Sequence, residues 1–109
     1  MRVVHCKKEP YDVYIGRPSK WGNPFTIGKD GTREEVIAKY REWILNQPKL
    51  LRHLYELDGK VLGCWCAPQA CHGDVLIQLV RLNRVKQFKE DMIEQQKVSQ
   101  NLLWLEITI

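Results

Sequence analysis

The side chains best suited to chemistry crowd into one stretch, KVLGCWCAPQACHGDVLIQ, from Lys60 to Gln78. It carries Cys64, Cys66 and Cys71, with His72 and Asp74 directly behind. Metal ligation is the first chemistry open to this set. On a strand Cys64 and Cys66 fall on one face and Trp65 on the other, because side chains alternate. Cys71 and His72 then return from a helix start to complete a Cys₃His set suited to Zn²⁺. The spacing is unusual, since structural zinc pairs are normally separated by two to four residues and adjacent ligands on a helix point apart. Cys6 or His5 could replace one member. A reactive thiol is the second chemistry. A helix N-terminus favours the Cys71 thiolate through its dipole. His72 would then serve as general base and Asp74 would orient it.

The third possibility is binding without bond-making. Arg17 and Lys20 suit phosphate, Asn23 suits a base edge or a ribose, and Trp21 and Trp65 offer stacking surfaces. Gly22 permits a tight approach in the same loop, Cys66 adds to the wall, and the helix start contributes backbone N–H groups. Asp74 could accept bonds from ribose hydroxyls, as the acidic residue of dinucleotide folds does. Against all three stands ordinary architecture. Free cysteine is among the most buried residue types, Asp is favoured in a first helical turn, and tryptophans commonly pack in cores.

These residues need elements to position them. Val61 and Leu62, after the turn at Asp58-Gly59, read as a strand. Val75, Leu76, Leu79 and Val80 repeat at helical spacing, so the cysteines mark a strand-to-helix switch. In open α/β sheets ligands bind outside the carboxyl ends of strands. Upstream, Arg2 to Cys6 and Tyr11 to Ile15 read as two further strands that could pair as a hairpin. Arg17 to Gly31 is a long loop rich in Gly and Pro, and its Trp21, Phe25 and Ile27 argue against disorder. Thr32 and Glu35 fit a capping box opening a helix with Val36, Ile37, Tyr40, Trp43 and Ile44 on one face. Pro48 opens a second helix through Leu57. Spacing through Val85, Phe88 and Met92 carries a last helix onward. The end, LLWLEITI from Leu102 to Ile109, is apolar and rich in β-formers.

At 109 residues the chain fits one domain. The expected fold is α/β, with a mixed sheet of about three to four strands and three or more packed helices. Residues 1–83 would be the compact domain, and residues 84–109 a helical extension with a β-prone tail. A net charge of +4 and a pI near 8.9 permit nucleic acid or phosphorylated ligands without demanding them. No N-terminal apolar run fits a signal peptide and no stretch is long enough for a membrane span, which points to the cytoplasm. There thiols stay reduced, so the four cysteines read as thiols or metal ligands.

Three segments in order, GRPSKWGNPF (Gly16 to Phe25), GTREEVIAKYREWI (Gly31 to Ile44) and GCWCAPQACHGDVL (Gly63 to Leu76), resemble a small domain family of phages, bacteria and some eukaryotes known as a domain of unknown function. The resemblance spans Asp12 to Leu82 and implies an autonomous α/β domain, without assigning any residue a role. Taken together, the residues favour recognition of a nucleotide-like or ribose-phosphate ligand between the GNPF loop and the CWC-to-CHGD turn. Cys71, His72 and Asp74 are the candidate polar groups for any reaction. The alternative is a zinc-stabilised module that binds nucleic acid or protein. The apolar tail adds the expectation of a homodimer.

Overall fold

The computed structural model describes the backbone of residues 1–108 and the side chains of residues 1–97. Three strands form the sheet: β1 (Arg2–His5), β2 (Val13–Tyr14) and β3 (Val61–Cys64). Three helices accompany them: α1 (Arg33–Leu45), α2 (Pro48–Arg52) and α3 (His72–Thr108). A 3₁₀ turn, Leu54–Leu57, follows α2, so the second expected helix is broken at His53.

The sheet order is β1-β3-β2, and both outer strands run parallel to β3. The expected sheet is mixed, with a β1–β2 hairpin open to it; the observed sheet is wholly parallel and those two strands do not pair. The short link from Cys6 to Asp12 does not turn back at a hairpin. It returns across the sheet, with Cys6 N–H donating to the Cys64 carbonyl (3.0 Å) and Asp12 N–H to the Val61 carbonyl (2.8 Å). Gly63 makes this route possible. The Tyr11 ring lies over it so closely that an added Cβ would sit 2.5 Å from Cγ.

Register settles the faces. Val3, Leu62 and Val13 form one row across the sheet. All three belong to the main hydrophobic cluster or pack against it, together with Tyr40, Ile44, Leu57, Val75, Leu76 and Val80. The helices therefore cover that face in a two-layer arrangement.

Helix α1 starts as its sequence demands. Thr32 Oγ1 accepts from Glu35 N–H at 3.3 Å, and Glu35 Oε1 accepts from Thr32 N–H at 3.1 Å. The Thr32 amide holds the Glu35 carboxyl below its ordinary range. Trp43, read from its spacing as a core side chain, is only partly buried; it leans on the Tyr40 ring at 5.6 Å. Helix α3 runs unbroken to Thr108, so over residues 102–108 the β-prone reading of the tail gives way to helix. Local β-propensity is a weak preference that a long continuing helix overrides. Side-chain packing of that tail, and Ile109 altogether, lie outside the described residues. From Arg81 through Lys97 every residue is exposed.

Candidate functional site

A cleft of about 250 Å³ opens at the carboxyl edge of the sheet. Four segments wall it. Gly16 and Arg17 leave β2, Asn23 to Ile27 belong to the long loop, Arg33, Val36 and Ile37 come from α1, and Cys64 to His72 span the switch from β3 to α3.

The loop is built rather than loose. Tyr40 Oη, buried in the core, donates to the Trp21 carbonyl at 2.7 Å. Asn23 Nδ2 donates to the Val36 carbonyl at 3.1 Å, and its Oδ1 accepts from Phe25 N–H at 2.9 Å. Asn23 thus lines the cleft with its amide already committed to shaping the loop. Trp21 is 2% exposed, so it anchors the loop in the core and presents no stacking face. Gly22 is buried against the Arg17 backbone, where an added Cβ would lie 3.1 Å from the Arg17 nitrogen. Lys20 turns away from the cleft to pair with Glu56 at 2.7 Å. Arg17 remains on the wall, tied by Nη1 to Thr26 Oγ1 at 3.2 Å. Trp65 is 55% exposed, with its indole N–H donating to Tyr14 Oη at 3.0 Å and the Lys7 ammonium over its ring.

The three expected reactive residues do not converge. Cys71 and His72 both line the cleft, but Asp74 is exposed and caps the helix, its Oδ2 accepting from Cys71 N–H at 3.0 Å. The Ile15 carbonyl, not Asp74, orients His72, lying 2.7 Å from Nε2 in a buried setting. That contact requires a proton on Nε2. The start of α3 is also a poor anion cradle. Cys71 N–H serves Asp74, Gly73 N–H serves Cys71 Sγ, and Asp74 N–H serves the Cys71 carbonyl. Those donors are spent within the turn, which corrects the expectation that they would face a phosphate.

The thiols do converge. The sulfurs of Cys64, Cys66 and Cys71 lie within 4.8 Å of one another, a group that could hold a metal ion, and His72 is not part of it. Cys64 and Cys71 are buried and Cys66 partly so, all as free thiols. Hydrogen bonding from the Cys71 thiol, against an opposing cost of burial, draws Cys64 down to about 5. The same bond, then burial, pushes Cys71 well above the thiol range. Cys66 is raised, by burial first and then by Cys64, while Arg33 works in the opposite sense.

Arg33 escaped the reading of the sequence. It bridges α1 to the turn before α3, with Nη1 donating to the Ala70 carbonyl at 3.1 Å. A signal existed: a cation in a first helical turn opposes the dipole, so it implies another use. Shallower depressions elsewhere lack this set of groups. Asp74 lies in one of them, beside Met1, Arg2 and Val3.

Fold and site together define a small parallel α/β domain with a thiol-bearing, arginine-flanked cleft at the carboxyl edge of its sheet. Residues 2–82 match a family described as Domain of unknown function (DUF4326), and the chain belongs to that family. It is 40% identical over 95 residues to a phage T4 protein described as an uncharacterized 12.4 kDa protein in the nrdA-td intergenic region, covering 83% of this chain and 82% of that one. It is 42% identical over 89 residues to uncharacterized protein R718 of Acanthamoeba polyphaga mimivirus, covering 65% and 68% respectively. No solved structure matches.

Proposed function

We propose that the cleft binds a nucleotide-like ligand through its phosphate. One observation carries the reading: Arg17 and Arg33 line a concave site whose wall contains no carboxylate residue. Guanidinium matches phosphate oxygens with paired, planar donors. The volume, about 250 Å³, is at the small end for ligand pockets and suits a mononucleotide better than a dinucleotide. Trp65 supplies a half-exposed indole beside it for a base.

Calorimetric titration of the reduced protein with AMP tests this. Binding is expected, weakened about tenfold or more by Arg17→Gln, in line with loss of one charge-assisted hydrogen bond, and weakened further by salt. Absence of binding at millimolar AMP would refute it.

We propose also that the chain self-associates through α3. Leu82, Val85, Phe88 and Met92 are exposed and recur at three- and four-residue steps on one side of the helix. Arg81, Lys86 and Lys89 precede Glu90, Asp91 and Glu94, so an antiparallel pair of helices sets unlike charges opposite each other. Sedimentation should give a dimer that Phe88→Glu reduces to a monomer. A monomeric native chain would refute the idea. Among the described residues no helix is long and apolar enough to cross a membrane.

A further inference from the structure

Three cysteines meet at the wall of the cleft without forming a disulfide. Cys64 ends β3, Cys66 follows two residues later, and Cys71 precedes the first residue of α3. All three line the cleft, and their sulfurs lie within 4.8 Å of one another. Zinc binds thiolate at about 2.3 Å, so tetrahedral ligation sets two sulfurs on one ion about 3.8 Å apart. The three thiols therefore need to draw together by at most about 1 Å to share a single ion. A backbone donor already faces one of the sulfurs: Gly73 N–H reaches Cys71 Sγ at 3.2 Å.

We propose that Cys64, Cys66 and Cys71 hold one zinc ion whose fourth position is open to the cleft. His72 is the residue that could have closed the site. Its Nε2 donates to the Ile15 carbonyl, and no ring nitrogen lies within the sulfur group. Three protein ligands with a vacant fourth position are the pattern of catalytic zinc sites, whereas structural sites use four. Three thiolates favour zinc or copper(I) over magnesium and calcium, which prefer oxygen. Zn²⁺ with three thiolates carries one net negative charge, and Arg33 stands beside Cys66 to offset it. The zinc assignment is independent of the nucleotide reading. Where that reading also holds, a phosphate oxygen can occupy the open position.

The test begins with elemental analysis of full-length, reduced protein purified without chelators. About one zinc per chain is expected. Cys66→Ser and Cys64→Ser should lose it, while Cys6→Ser and His72→Gln should keep it. Cobalt(II) added to metal-free native protein provides a measure that needs no variant to fold. Thiolate-to-cobalt charge-transfer bands and intense d–d bands are expected, and inorganic phosphate should shift the d–d bands. Absence of both zinc and the charge-transfer bands would overturn the site, and copper in place of zinc would overturn the metal. Loss of zinc in a folded His72→Gln protein would overturn the open position, as would d–d bands that ignore phosphate while calorimetry registers its binding. Failure of the nucleotide reading alone would appear as absent AMP binding with zinc stoichiometry intact.

Discussion

Tyr40→Phe removes one oxygen from the core and tests whether the cleft loop is held from beneath. Tyr40 has no exposed surface, and its hydroxyl donates to the Trp21 carbonyl at 2.7 Å. Trp21 is itself buried, so the orphaned carbonyl finds no water without disturbing the core. A typical hydrogen bond contributes about 1 kcal/mol net, but leaving a buried partner unsatisfied raises the loss to about 1–3 kcal/mol. The ring contacts with Trp43 and His72 survive the substitution, so little packing loss adds to this. A destabilisation of about 2 kcal/mol should lower the urea midpoint by about 1 M with the slope unchanged. Tryptophan fluorescence is a suitable probe, because Trp21 is buried in the core and Trp43 packs against it. The loop also carries Arg17 and Asn23, so AMP affinity should fall alongside stability. A midpoint equal to that of the native protein would refute the reasoning, for it would mean the Trp21 carbonyl has no need of the bond.

Burial, then Cys71, raises the Tyr40 phenol far above the ordinary phenol range. The folded state therefore keeps a proton that the unfolded chain releases near pH ~10, and stability should decline as pH rises beyond that point. Urea midpoints on either side of it should show this limb in the native protein and a shallower one in Tyr40→Phe. Gly73→Ala places a Cβ 2.7 Å from Val3 Cγ2 and 2.8 Å from Ile15 Cδ1, where the start of α3 presses on the sheet. Overpacking there should cost about 1–3 kcal/mol, read as a lower urea midpoint, and an unchanged midpoint would mean both side chains yield freely. Thr32→Ala removes half of the capping box and should cost about 1 kcal/mol by the same assay. Equal stability would show the cap to be dispensable.

Much of this protein is written locally. The capping box at Thr32 and Glu35 and the apolar spacing behind it specify α1, because short-range hydrogen bonds and helical periodicity decide a helix start. The apolar run before Cys64 specifies β3, and the turn from CWC to CHGD locates the site at its carboxyl end. Other features depend on groups distant along the chain. The parallel pairing of β1 and β2 on either side of β3 follows from the returning link and from the room Gly63 leaves for Tyr11, neither of which periodicity encodes. Burial of Trp21 and capture of the Asn23 amide depend on α1 packing beneath the loop. His72 has Ile15 as its partner, 57 residues earlier in the chain, rather than Asp74 two residues away. The meeting of Cys71 with Cys64 and Cys66, and the entry of Arg33 beside them, come only when α1 and α3 dock on one sheet face. Local sequence determines which elements form and where reactive side chains lie along them. Tertiary packing determines which of those side chains share a cleft, because convergence depends on distances that sequence separation does not measure.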